Sequence, residues 1–306
     1  MVKLNDAVEN VLNEARILLL GGQVLLGFGY RVCFEAGFQR LPLPAQFAQI
    51  TGLSIMTAGL GWLIWPAAFH QITENGVSNT ATHAFTTRVL DWGLLPLALG
   101  LALTTYPVAT ALRMPYPLWI SAATGLLAIL VWYVWSYAVR DPEKRKQVRQ
   151  ELLKRETHSK QNQDEEFSER IKKVLIECRM ALPGAQAFLG FQFAIVFAQG
   201  FDQIPRAWQL IHFLSLLATT VSIVLLIAPA AYHRLAEAGE DTPHFHTVAS
   251  RLLLAALVFL APGMAGDLFV VIAKVSGSPQ VAGLTAGTML LAFYGLWFGV
   301  SSLRKK

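Results

Sequence analysis

Eight ionisable residues form two matching sets in this 306-residue chain, and they are the first candidates for chemistry. Each set holds one glutamate, two arginines and one histidine, and the second set repeats the first at a constant offset, 177 − 14 = 163. The sets are Glu14, Arg16, His70 and Arg88, and then Glu177, Arg179, His233 and Arg251. A carboxylate, guanidinium groups and an imidazole at one depth can form ion pairs, bind an anion or hold a lipid headgroup.

We expect each set to be a structural ion-pair cluster that closes the cytoplasmic end of its repeat, because arginine and histidine are favoured at helix carboxyl ends. A lipid-headgroup or anion site is the first alternative. Haem is the second, with His70 and His233 as the two axial ligands. No second symmetric histidine pair lies deeper in the membrane, since His212 aligns with Gln49.

An ion pair within one span is a further candidate. Arg31 and Glu35 stand at i and i+4, where helical side chains meet. They align with Ala194 and Ala198, so the pair exists in the first repeat alone. Ionisable residues are costly inside a membrane and often functional there. We interpret the pair as an outer-interface salt bridge, with contact to a partner protein or the wall of an outward cavity as alternatives.

Two glutamines at equivalent positions, Gln23 and Gln186, are predicted within spans. Glutamine side chains can hydrogen-bond across helices or line a pore, and both interpretations stay open. Asp267, near the outer end of the seventh span, is expected to stand alone because Thr104 occupies the equivalent place. No catalytic residue is predicted, since the chain has no phosphate loop, HExxH helix, partnered nucleophile elbow or mid-membrane carboxylate pair.

The composition is that of a polytopic membrane protein. Apolar residues make up 54% of the chain and charged residues 15%, against about 25% charged in soluble domains. The net charge of +5 does not imply nucleic acid, because the basic residues concentrate between apolar runs. Cys33 and Cys178 lie at unrelated positions and indicate neither a disulfide framework nor a metal site.

The offset of 163 residues relates far more than the ionisable sets, and it indicates a tandem duplication. Pro66-Ala-Ala-Phe-His70 recurs as Pro229-Ala-Ala-Tyr-His233, and Gly37-Phe38 recurs as Gly200-Phe201. Apolar runs of about 20 residues, enough to cross a bilayer, predict four spans per repeat. The predicted spans are 16–38, 47–69, 89–112, 118–139, 180–201, 209–231, 252–274 and 280–302. Amphipathic stretches at 4–13 and 167–175 predict separate helices on the membrane surface.

The predicted fold is all-α, with eight transmembrane helices in two parallel four-helix repeats related by a pseudo-twofold axis along the membrane normal. The domains are a first membrane repeat at 1–139, a charged cytoplasmic linker at 140–165 and a second repeat at 166–306. Basic residues gather at the termini, the linker and the histidine-containing loops, so the positive-inside rule places both termini in the cytoplasm.

The residue pattern resembles a family of short bacterial membrane proteins that is known as a domain of unknown function and described as four-helix. The resemblance is best in residues 174–272 and weaker in 11–110. It is carried by Glu177-x-Arg179, Gly184-x-Gln186, Gly190-Phe191, Ala228-Pro-Ala-Ala-Tyr-His-Arg234 and Ala249-Ser-Arg-Leu252. It implies the fold and a bacterial inner membrane location, and it implies no activity.

The functional expectation is a non-catalytic accessory or structural subunit that packs against a larger membrane assembly. Its partners would be membrane lipids and other membrane subunits, with no nucleic acid and no required cofactor. A channel or facilitator for ions or a small solute is the alternative, with a pathway near Gln23 and Gln186. A haem-binding membrane redox protein is the second alternative.

Overall fold

The computed structural model describes residues 4–73, 80–135, 163–235 and 243–304, and the regular structure in these ranges is helical throughout. In chain order the long helices are α1 (Leu4–Val32), α2 (Leu43–Thr73), α3 (Thr80–Ala111), α4 (Pro117–Ile129), α5 (Gln163–Val196), α6 (Arg206–Leu235), α7 (Pro243–Ser276) and α8 (Pro279–Tyr294). Helices α4 and α8 continue as π-helical turns, Leu130–Trp135 and Gly295–Val300. The all-α prediction is confirmed for the described residues.

Within the described residues, seven helices are long and apolar enough to cross a membrane, which supports the prediction of a membrane protein. The spans are Leu43–Thr73, Ala84–Ala111, Pro117–Val134, Val174–Val196, Arg206–Ala230, Pro243–Ser276 and Pro279–Leu303. The first helix is not among the seven. It carries Arg16, Gln23 and Arg31 among its apolar residues, and these polar side chains lower its mean hydropathy.

The two predicted surface helices are not separate helices. Residues 4–13 form the first part of α1, and residues 167–175 lie within α5. No glycine or proline interrupts the junction between either amphipathic stretch and the span that follows it, so the helical hydrogen bonds continue. Helix α2 likewise runs through Pro66 to Thr73. Internal prolines are tolerated in membrane helices because neighbouring groups satisfy the freed backbone. The predicted linker at 140–165 lies mostly outside the described residues.

The connections that follow α1, α3, α5 and α7 lie at one end of the bundle, here called the short-turn end. The opposite end, where residues 136–162 join the two repeats, is called the long-connection end. Residues 33–42 join α1 to α2 and include a 3₁₀ turn. Residues 112–116 join α3 to α4, where Arg113 and Tyr116 adopt left-handed backbone angles just before Pro117. These are the proline-containing turns that the sequence predicts.

Equivalent helix pairs pack in the two repeats. Contacts between α1 and α2, α2 and α3, α3 and α4, and α1 and α3 recur as α5 with α6, α6 with α7, α7 with α8, and α5 with α7. The repeats meet through α1 against α5, and through α2 against α7 and the π-helical end of α8. Helices α2 and α7 are therefore the most buried spans of the bundle.

The contact between α1 and α5 is close because it is built on glycine. A Cβ atom added to Gly27 would lie 2.0 Å from the Phe191 ring, and one added to Gly184 would overlap the Gln23 side chain. The rings of Phe28 and Phe191 stand at equivalent positions of the two repeats, with centroids 4.3 Å apart. Small residues let membrane helices approach closely, and here they join the two repeats directly.

The π-helical end of α8 fixes the second contact between the repeats. The Trp297 indole N–H donates a hydrogen bond of 2.8 Å to the Gly61 carbonyl of α2. Nearby, the Thr73 hydroxyl donates to the Ser301 carbonyl at 2.9 Å. Trp297 is fully buried. The indole is therefore both a packing element and a polar connection between α8 and α2.

The glycine at the α1–α5 contact can be tested against its equivalent in the other repeat. Nothing lies within 4 Å of a Cβ atom added to Gly190, the counterpart of Gly27. We expect Gly27→Ala to lower the thermal midpoint of the protein in mild detergent, because overpacking costs roughly 1–3 kcal/mol. Gly190→Ala should leave the midpoint unchanged or raise it, since alanine is the better helix former. Equal effects of the two substitutions would contradict this contact.

Candidate functional site

A buried polar cluster joins the two repeats at the long-connection end, and we call it the junction cluster. It consists of His70 and Gln71 from α2, Glu177 from α5 and Ser250 from α7. The Glu177 carboxylate contacts His70 Nδ1 through one oxygen and accepts a hydrogen bond from the Gln71 amide through the other. The Ser250 hydroxyl donates to Gln71 Oε1 at 2.7 Å. Glu177 is fully buried, and His70 and Gln71 are nearly so.

Burial gives this cluster a structural role. An isolated buried carboxylate is strongly unfavourable, whereas each oxygen of Glu177 has a partner from the opposite repeat. His70 Nε2 is buried with no hydrogen-bond partner among the described residues. The glutamate is therefore stable only while α2 and α5 remain together, and it links the packing of one repeat to that of the other.

The arginines of the two predicted sets do not join the junction cluster. Arg16, Arg88, Arg179 and Arg251 are exposed, as expected for groups that reach toward headgroups. The sequence groups Glu177 with residues of its own repeat, and the structure brings it to the histidine of the other repeat. The side chains of Glu14 and His233 lie outside the described part of the chain.

A second buried cluster corrects the expectation that Asp267 stands alone. Asp267 of α7 contacts His212 Nδ1 of α6 at 2.9 Å and accepts a hydrogen bond of 2.7 Å from the Gln192 amide of α5. His212 Nε2 lies 3.0 Å from the Gln192 carbonyl, to which it donates. All three side chains are buried. Three polar contacts thus hold α5, α6 and α7 together near the short-turn end.

The first repeat keeps one part of this arrangement. Gln49, the equivalent of His212, donates its amide to the carbonyl of Gly29, the equivalent of Gln192, at 3.1 Å. The equivalent of Asp267 is Thr104, which instead bonds within its own helix. Depth along the spans is the sequence signal that could have found the second cluster. His212 is near the start of one predicted span and Asp267 near the end of the next, so both belong to one membrane level.

Arg31 and Glu35 form the predicted i,i+4 pair, with a guanidinium-to-carboxylate distance of 3.4 Å. Both side chains are about half exposed, at 47% and 46%. They border an open cleft of about 520 Å³ between the ends of α1 and α5, which also presents Phe197 and Gln199. We call it the junction cleft. Phe197 is 88% exposed, so the cleft combines a polar pair with an uncovered aromatic ring.

The two predicted glutamines occupy different environments. Gln23 is buried against Gly184 at the contact between α1 and α5, and its amide oxygen has no hydrogen-bond partner among the described residues. Gln186 is exposed on the outside of α5. The structure does not bring these side chains to a shared cavity.

Metal and haem chemistry find limited support in the described ranges. No three histidine, cysteine, aspartate or glutamate side chains there converge on one point as metal ligands would. His70 Nδ1 is engaged by Glu177, and its Nε2 atom is enclosed. Because the His233 side chain is not described, haem ligation by His70 and His233 stays a prediction.

Removing the shared carboxylate tests the junction cluster. We expect Glu177→Ala to destabilise the protein by about 3 kcal/mol, because breaking a buried polar pair leaves its partners uncompensated. Arg179→Ala is the matched control, since this exposed residue lies on the same helix, and exposed substitutions change stability by less than about 0.5 kcal/mol. Thermal unfolding in detergent measures both variants. Equal midpoints for the two would contradict the cluster.

The second cluster can be tested by replacing its residues with those at the equivalent positions of the first repeat. Asp267→Ala should lower the unfolding midpoint strongly, because His212 and Gln192 lose their shared acceptor. The double variant His212→Gln with Asp267→Thr installs the residues of the first repeat and should recover part of the loss. A double-mutant cycle on thermal midpoints measures the coupling, expected at ~0.5–3 kcal/mol for residues in contact. A coupling of zero would show that the side chains do not interact.

Comparison with known proteins identifies a family and no activity. The family of unknown function DUF6328 matches residues 2–136 and again residues 160–301, one match per repeat. A search of curated proteins and a search of solved structures each found no match. The two matches confirm the duplication that the 163-residue offset predicts. The chain therefore belongs to the DUF6328 family, as a duplicated member with two repeats.

Proposed function

We propose that this protein is a non-catalytic membrane subunit that packs laterally against a larger assembly in the bacterial inner membrane. The proposal rests on one observation, which is that buried polar side chains make their contacts between helices of the bundle. The junction cluster and the His212–Asp267–Gln192 cluster engage buried polar groups in contacts between helices. Among the described residues, the surface left for function is the lateral face of the bundle.

The proposed arrangement has eight spans, with α1 as the eighth, and two parallel repeats with both termini in the cytoplasm. Contact of α1 with α2, α3 and α5 supports its inclusion in the bundle. Short turns between successive helices favour an up-and-down path. An even number of spans per repeat then gives the repeats the same orientation, and the positive-inside rule sets its direction.

The closed contact between α1 and α5 favours a subunit over a channel. A pathway between the repeats would pass the position of Gln23, which is buried against Gly184 in van der Waals contact. Phe28 and Phe191 fill the next level with their rings. These close contacts between the repeats are those of packed helices and not of a hydrated pathway.

The junction cleft is the surface we assign to the partner. Protein interfaces are enriched in aromatic side chains and in arginine. Phe197 supplies the ring, and Arg31 with Glu35 supplies the polar pair. Ala194 and Ala198, the counterparts of that pair in the second repeat, line the same cleft, so both repeats contribute to one surface and only the first supplies the ion pair. A single copy of the partner would bind.

Native mass measurement tests the proposal. We expect tagged protein extracted in mild detergent from its own membranes to migrate as a large discrete complex with identifiable co-purifying chains. The variant Arg31→Ala with Glu35→Ala, which installs the residues of the second repeat, should release the partner, as should Phe197→Ala. Leu284→Ala, at an exposed apolar position of α8, is the control and should retain it.

Two outcomes would contradict the proposal. One is a bare monomer or homo-oligomer in every mild extraction, and the other is a partner retained equally by all variants. In the first case ion and solute flux in liposomes becomes the next measurement, because the channel alternative then gains weight.

A further inference from the structure

An open groove lies between α1, α2 and α3 at the short-turn end of the first repeat, and we call it the lateral groove. Its volume is about 820 Å³, within the range of roughly 300–1,000 Å³ usual for small-ligand sites. The walls are mainly apolar and include Leu25, Phe28, Met56, Leu101 and Val108. Leu25, Phe28 and Val108 are about half exposed, so the groove opens sideways, where an apolar ligand can enter from the bilayer.

Two cations lie at the outer end of this groove. Arg40 stands on the turn between α1 and α2, and Arg113 on the turn between α3 and α4. Both are exposed. The one carboxylate in the lining, Glu35, is already paired with Arg31. The groove thus has an apolar interior and an excess of positive charge at its mouth.

The second repeat differs from the first both at the positions of the two arginines and at the level of the groove. Its residues at the places of Arg40 and Arg113 are Gln203 and Ser276. At the level of the groove it carries the cluster of Gln192, His212 and Asp267, which binds α5, α6 and α7 together. Polar side chains that bond to one another therefore occupy this level in the second repeat, and the two arginines belong to the first repeat alone.

We propose that the lateral groove binds an anionic phospholipid, with an acyl chain against α1, α2 and α3 and the phosphate held by Arg40 and Arg113. Arginine suits a phosphate because its planar fork donates two parallel hydrogen bonds. Charge complementarity excludes a cationic headgroup at the mouth. The inference needs only a membrane around the protein and does not depend on the proposed subunit function.

Lipid titration followed by native mass spectrometry tests the site on the full-length protein. Wild-type protein should bind one dioleoyl phosphatidylglycerol about tenfold more tightly than dioleoyl phosphatidylcholine, since arginines near the membrane surface favour anionic lipid. Arg40→Gln with Arg113→Gln should remove this preference. Arg206→Gln, at the first residue of α6 in the second repeat, should leave it intact.

A substitution that fills the lateral groove tests its apolar interior separately from the two arginines at its mouth. Val108→Trp should abolish the tight-binding step for phosphatidylglycerol, and Val108→Phe serves if the larger residue prevents folding. Leu284→Trp, on exposed α8, is the matched control and should bind as wild type does.

Three results would overturn the proposal. They are equal affinity of wild type for the two phospholipids, unchanged affinity in the filled variants, and tighter binding of oleate than of phosphatidylglycerol. The last result would assign the groove to a free fatty acid. An unchanged thermal midpoint in the arginine variants confirms that their loss of binding is not a loss of fold.

Discussion

The carboxylate of Glu177 is the constraint on which the arrangement of the two repeats depends. It is fully buried, and both of its oxygens are partnered by α2 of the other repeat. Separating the repeats would expose an unpartnered carboxylate to an apolar environment, which is strongly unfavourable. Glycine contacts between α1 and α5 then set how closely the helices approach. Polar pairing and close packing together make the duplicated chain one body.

Duplication has allowed the two halves to differ. At one membrane level the first repeat carries Gly29, Gln49 and Thr104, while the second carries Gln192, His212 and Asp267. The second set forms a connected polar cluster, and the first borders an open groove. A symmetric dimer of single repeats would place the same surface on both sides. The fused chain has the groove and the ion pair in its first repeat. This arrangement is suited to contact with different lipids and proteins on the two sides of the bundle.

The helices, the turns and the duplication follow from the sequence because each has a local or periodic signal. Apolar runs, the prolines at 42, 115 and 117, and a constant offset supply those signals. The side-chain pairings are harder to predict, because depth along a span does not specify which neighbouring helix a residue faces. The sequence alone therefore groups Glu177 with its own repeat and predicts that Asp267 stands alone. The continuity of α1 and α5 is not visible in the sequence pattern, since amphipathic and apolar stretches can belong to one helix.

Disulfide trapping in the membrane tests most directly whether the repeats pack as one closed body. In a background with Cys33→Ala and Cys178→Ala, cysteines would replace Gly27 and Phe191. A Cβ atom on Gly27 would lie 2.9 Å from that of Phe191, so a small shift of the helices brings the pair to the roughly 3.5–4.5 Å that a disulfide needs. A protease site in the linker reports the bond, because only cross-linked halves stay together on a non-reducing gel. The account predicts rapid cross-linking of this pair and little for the equivalent pair at Phe28 and Gly190. No cross-link at 27 and 191, or equal rates for both pairs, would contradict it.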